Sequence, residues 1–271
     1  MRSVCVRVAW PTANRIKSIA CQQIVKKSNK PVFNSNQVHN IFPDSRFPIP
    51  DSRLPTPYSL LPTPYSLPEI MSYSQFTIQQ VVNDFELTLI EQGNIFESDS
   101  DRIISPSPYL AEFITQNYQL AIALNTEKAR SELLICPVLL AVREFHKNQI
   151  SLFSGEEFNV DPEVGLNGTC DFIISLSPEQ LFVKAPVAVI IEAKKEDLKG
   201  GLGQCIAAMV AAGRFNQQQN HGNVATIYGA VTTGTLWRFL KLEEKTVTLD
   251  LAEYLLPPIE PILGKLVQMV P

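Results

Sequence analysis

From residue 71 onward the apolar positions follow two periods in turn. Thr77 stands three residues before Gln80, the spacing of a capping box, and Ile78, Val81, Val82, Phe85 and Leu89 follow at helical intervals. Ser107-Pro108 reads as an N-cap and first helical residue, opening a second helix to about Leu124. A third helical pattern covers 126–145, and Pro137 within it predicts a kink or a helix boundary. After Gln149 the period shortens. Residues 153–160 and 170–176 read as strands joined by the turn-rich stretch DPEVGLNG. Residues 187–194 are almost continuously apolar, as in a central strand buried on both faces. Gly200, Gly201 and Gly203 predict a break before a small-residue helix over 204–215, and 224–232, 236–242 and 246–251 read as three further strands. Helices, a hairpin, a strand, a helix and more strands make an α/β domain with a mixed sheet flanked by helices.

Residues 1–70 read differently. Positions 43–70 are four tandem heptapeptides, PDSRFPI, PDSRLPT, PYSLLPT and PYSLPEI, holding eight of the chain's 20 prolines. Proline at that density removes backbone donors and fixes φ. The segment also lacks apolar periodicity, so it is predicted to be disordered. The heptads end at Ile70, and the globular pattern begins beside Met71. They resemble translated intergenic repeats, which makes Met71 the expected start. Two other readings of 1–70 stay open: a Pro-rich tether, or a targeting peptide, since 1–42 contain no acidic residue. The expected division is therefore 1–70 and a single domain over 71–271.

Composition narrows the function classes. No apolar run approaches the ~20 residues that span a bilayer. The five cysteines (Cys5, Cys21, Cys136, Cys170, Cys205) have no CxxC spacing, and the three histidines (His39, His146, His221) none at ligand spacing. A disulfide framework and a thiolate or His-rich zinc site are not expected; a reducing cytoplasm is the simplest compartment. The net charge of −4 hides an asymmetry, because residues 71–271 carry 14 Lys and Arg against 24 Asp and Glu. Such a domain binds polyanions only through a local patch or bound cations.

The candidate chemistry lies where the buried strand ends. Glu192 and Lys194 are two apart and share a face. By itself a Glu-x-Lys pair is as readily a solvated strand exit. Asp171, 21 residues earlier, begins another apolar strand. Adjacent strands would set Asp171 beside Glu192, and carboxylates held so close repel unless a cation lies between them. Hard oxygen ligands suit Mg²⁺ or Mn²⁺.

In these stretches the chain resembles the PD-(D/E)XK nuclease superfamily, and within it the N-terminal nuclease module of type I restriction enzyme motor (R) subunits. The resemblance rests on TEKARSELLICPVLL (126–140), GLNGTCDFII (165–174), VIIEAKK (189–195) and YGAVTTGTLWRF (228–239), and covers about 126–251. It implies a restriction-endonuclease-like fold that cleaves nucleic acid, DNA above all, with Mg²⁺ or Mn²⁺. Asp171, Glu192 and the Ala193 carbonyl would hold the metal, and Lys194 would position the attacking water. Glu127 on the entry helix, or nearby Glu132, would be an auxiliary ligand; either is equally a solvated helix charge. Gln204 matches the first residue of the Gln-x-x-x-Tyr pattern of related nucleases, but Ala208 replaces the tyrosine. Lys184, Lys195, Lys199 and Arg214 are candidate phosphate contacts, or ordinary solubilising charges.

Two functions follow: metal-dependent phosphodiester hydrolysis, or a nuclease-like fold kept as an inactive interaction or regulatory module. Acidic charge and the missing tyrosine favour the second; the intact Asp171, Glu192 and Lys194 favour the first. Removing residues 1–70 is expected to leave thermal unfolding of the remainder unchanged. A fall of several degrees would show that the segment packs on the domain.

Overall fold

The computed structural model describes residues 71–96, 103–221 and 224–270, all within one unit, Pro62–Pro271. The expected disorder of 1–70 lies outside the described residues.

The strands are β1 (Thr88–Gln92), β2 (Ser151–Glu157), β3 (Thr169–Ser175), β4 (Val187–Ala193), β5 (Thr226–Thr232), β6 (Leu236–Glu243), β7 (Thr246–Asp250) and β8 (Tyr254–Leu255). Among the described residues they form an eight-stranded sheet in the order β1-β7-β6-β5-β4-β3-β2, with β8 beside β6. The β1–β7 and β4–β5 pairs are parallel and the others antiparallel. The helices are α1 (Ile78–Asp84), α2 (Pro108–Leu124), α3 (Glu127–Arg130), α4 (Cys136–Phe145), α5 (Leu198–Gln218) and α6 (Glu260–Gln268). A mixed α/β domain with a helix-flanked sheet agrees with the sequence pattern.

Two apolar clusters sandwich the sheet. One joins residues of α2, α4 and α6 to Phe172, Val189, Ile191, Trp237 and Phe239. The other joins residues of α1 and α5 to Ile173, Val187, Ile190, Leu240 and Val247. Every residue of β4 is buried, and from Val189 to Ile191 successive side chains enter opposite clusters. This is the double-sided burial that a continuous apolar run predicts. The clusters also take in Tyr73, Phe76, Leu256, Ile262 and Leu266, so the packed core reaches beyond 126–251.

Local rules explain the helix starts. Thr77 Oγ1 accepts from the Gln80 N–H while Gln80 Oε1 accepts from the Thr77 N–H, and Ser107 caps α2 with proline at its first position. The first helix nevertheless stops at Asp84, and Glu86 takes a left-handed φ of 53°. Leu89, expected on that helix, lies in β1, where pairing with β7 supplies its backbone partners. At Pro137 the chain stays helical through a single π turn, Ser131–Ile135, with the Cys136 N–H donating to the Ser131 carbonyl. That wider turn accommodates a residue with no N–H of its own.

The larger departure is α5. It begins at Leu198, capped by Asp197, whose carboxylate accepts from the Gly200 N–H, so the three glycines read as a break lie inside the helix. Glycine weakens a helix, but here it permits close contact. A Cβ on Gly203 would lie 2.2 Å from the Phe76 carbonyl oxygen, and one on Gly201 2.9 Å from Lys194 Cγ. Ala207, Ala208, Ala211 and Ala212 are fully buried, and Gly229 of β5 admits Met209 and Cys205. Ala208→Leu should overpack this interface and cost about 1–3 kcal/mol, read as a lower midpoint in denaturant. An unchanged midpoint would mean that α5 does not press on the sheet.

Candidate active site

Three elements carry the site. β3 and β4 run antiparallel, and one step beyond their last ladder pair, Phe172↔Ile191, Asp171 falls opposite Glu192. Directly opposed residues of antiparallel strands share a face. On the other side of β3 the ladder with β2 skips Asp171 and Gly155, which has a left-handed φ of 66°. At this irregular step the half-buried Asp171 turns its carboxylate toward β4, where Oδ2 accepts from the Ala193 N–H at 2.8 Å.

Glu192 is fully buried, and neither carboxylate oxygen has a hydrogen-bond partner among the described residues. The Lys194 ammonium lies 3.6 Å from Glu192 Oε2, an ion pair too long for a hydrogen bond. It donates instead to Gln204 Oε1 on α5, at 2.9 Å. Burial pushes the Glu192 carboxyl well above its ordinary value; the Asp171 charge adds to the rise and Lys194 opposes it. The Lys194 stem passes over Gly201, where any larger residue would collide with it.

The structure therefore brings together Asp171, Glu192, Ala193, Lys194 and Gln204. Glu127 is not drawn in. It is exposed at the start of α3, and among the described residues no hydrogen bond or ion pair joins it to the cluster. Glu132 is exposed too, paired with Lys128 one turn away. Of the candidate basic residues, Lys195 and Lys199 flank the cluster and are exposed. Lys184 precedes the opposite end of β4. Arg214 lies ~15 Å along α5 from Gln204 at the helical rise, where Asp161 and the Phe85 ring hold it. The absent tyrosine has a steric reason, since Ala208 is fully buried in the apolar cluster that joins α5 to the sheet.

Gly201 and Gly203 were missed as site residues. Their signal, two glycines just ahead of Gln204, reads equally well as a turn, and only packing separates the two.

The donor set suits a hard divalent cation. It offers two carboxylates, one with both oxygens unpartnered, and Mg²⁺ is commonly held by one or two carboxylates plus water and phosphate oxygens. Among the described residues, no group of three or more His, Cys, Asp and Glu is placed to hold an ion, so protein ligands alone would not complete a coordination shell. No helix among the described residues is long and apolar enough to cross a membrane. Comparison with known proteins finds no matching family model, curated protein or solved structure.

Glu192 sets a pH dependence. Its carboxyl titrates higher in the folded state than its ordinary 4.5, so the native state binds the proton more tightly than the unfolded chain. Its effect on stability is then most favourable below 4.5 and declines as pH rises toward the raised value. With metal chelated, the wild type should lose stability relative to Glu192→Gln as pH climbs through that window. A difference between the two that stays constant with pH would show that Glu192 titrates normally.

Proposed function

We propose that this chain hydrolyses phosphodiester bonds of nucleic acid, DNA by resemblance, with Mg²⁺ or Mn²⁺ at a PD-(D/E)XK-type site on a restriction-endonuclease-like fold. The observation that carries the reading is the buried, unpartnered Glu192 carboxylate beside Asp171, with Lys194 held next to it. A carboxylate in that position is costly unless a proton or a cation satisfies it.

Asp171 and Glu192 are the residues that would hold the ion, with the Ala193 carbonyl as the further ligand the resemblance implies. A bound divalent ion supplies Lewis-acid stabilisation of the scissile phosphate and a more acidic water. Lys194 places a positive charge beside that position, where it stabilises the developing anion and orients the water. Gln204 positions the Lys194 ammonium by accepting its hydrogen bond. Lys195 and Lys199 are exposed near the cluster and offer charge to flanking phosphates. The acidic balance of residues 71–271 favours a second reading, an inactive module that keeps the fold for interaction.

Two substitutions separate metal binding from chemistry. Glu192→Gln keeps the shape and removes a ligand charge, so Mn²⁺ affinity should fall about tenfold or more in a calorimetric titration and cleavage should be lost. Lys194→Ala removes a like charge beside the ion, so binding should persist or tighten while hydrolysis still collapses. If both variants bind Mn²⁺ like wild type, the cluster is not a metal site. If wild type binds Mn²⁺ yet cuts neither DNA nor RNA, the inactive module is the correct reading.

A further inference from the structure

We infer that residues 71–77 form a brace that fixes the Asp171 strand relative to α5, with Tyr73 and Asn167 as positioning residues for the Asp171–Lys194 pair. That the braced pair serves catalysis rests on the function proposed above; the brace itself is read from packing.

Asp171 and Lys194 are carried differently. Asp171 belongs to β3, which follows the loop over 158–168, whereas the Lys194 ammonium is held by Gln204 of α5. The β3–β4 ladder does not reach that loop, and its direct ties to α5, Asp161 with Arg214 and Phe158 with Phe215, lie toward the helix's far end from Gln204. Residues 71–77 span the two. At one end the Tyr73 N–H donates to the Asn167 carbonyl at 2.9 Å. The Asn167 side-chain amide donates back to the Met71 carbonyl at 2.8 Å, and the Tyr73 hydroxyl donates to the Phe158 carbonyl. These bonds hold both ends of the loop, at Phe158 and at Asn167, four residues ahead of Asp171.

At the other end the Phe76 carbonyl and the Thr77 backbone lie against Gly203, the residue before Gln204, where a Cβ would come within 2.2 Å. A Cβ on Gly165 or Gly168 would meet Met71, Phe76 or Tyr73 at 3.0–3.3 Å, a tight fit without the collision seen at Gly203. Tyr73 and Phe76 are 1% and 3% exposed; within the segment the Ser72 N–H donates to Gln75 Oε1, and Thr77 closes a capping box with Gln80 just beyond it. A stretch with this much internal bonding transmits displacement instead of absorbing it. Burial above all, with smaller contributions from Cys170 and Glu192, pushes the Tyr73 hydroxyl upward, which puts Tyr73 within electrostatic reach of Glu192.

The test uses two readouts on the full chain: hydrogen exchange at the Ala193 amide, whose acceptor is Asp171 Oδ2, and calorimetric titration with Mn²⁺ well below the unfolding midpoint. The variants are Gly203→Ala, which forces the brace off α5, and the milder Asn167→Ala and Tyr73→Phe, which each remove one bond. Val267→Ala, in the cluster on the opposite face of the sheet, is the control for general loss of stability. The milder variants should speed exchange at Ala193 about tenfold and weaken Mn²⁺ about tenfold, the scale for removing a residue that supports a metal ligand. Val267→Ala should leave both near wild type. If Ala193 exchange is unchanged in the milder variants, or shifts equally in Val267→Ala, the brace is ordinary core and the inference is overturned. If wild type fails to bind Mn²⁺ but the Ala193 amide responds selectively, the metal reading fails and the brace stands.

Discussion

The buried carboxylate of Glu192 is the constraint around which the site is arranged. β4 is covered on both faces because its apolar run demands it, and the strand delivers an acidic side chain into that covered space with no hydrogen-bond donor for either oxygen. The neighbours relieve little of the cost. Asp171 adds a second negative charge, and its own oxygen is engaged by the Ala193 N–H. Lys194 stands near enough to attract but is held by Gln204. A fold optimised for stability alone would place an apolar residue at 192. Unrelieved electrostatic cost of this kind is characteristic of sites that act on a ligand.

α5 shows how the rest of the domain accommodates that arrangement. It lies close enough to β4 for Gln204 to reach Lys194, and this proximity requires small residues on two sides of the helix. The alanines are fully buried, and Gly201 and Gly203 face the lysine stem and the 71–77 segment. An aromatic residue at 208 would lift the helix and take Gln204 away from its partner. Ala208 is thus coherent with the packing around Gln204, whatever it implies about kinship.

What the sequence made legible follows from how local each signal is. The capping box at Thr77, the N-cap at Ser107, the apolar run of β4 and the β2–β3 hairpin depend on neighbouring residues, and they fold as their patterns predict. The pairing of Asp171 with Glu192 was also within reach, because one apolar hairpin leaves few registers open. Failures came where distant partners decide. Leu89 joined β1 because β7, more than 150 residues later, pairs with it. The glycines of α5 are helical because tertiary packing outweighs their propensity. Glu127 is exposed, which fits the solvated helix charge that was one of its two open readings. β8 and α6 were not anticipated: a two-residue strand has no period to detect, and α6 opens on a proline-rich stretch whose helix is stabilised by burial of Ile262 and Leu266.

Charge bears on how any polyanion would meet this surface. Residues 71–271 carry an excess of acidic groups, so long-range attraction is weak and counterion release contributes little to binding. Arg214 is engaged by Asp161 and Lys184 lies at the wrong end of β4, which leaves Lys195 and Lys199 as local charge beside the cluster. Lys195 is itself 3.8 Å from Glu196. On the proposed reading, recognition is then concentrated at the cluster, and the ion held by Asp171 and Glu192 supplies much of the positive charge that a phosphate meets. Metal and substrate binding become coupled, since each brings charge that stabilises the other.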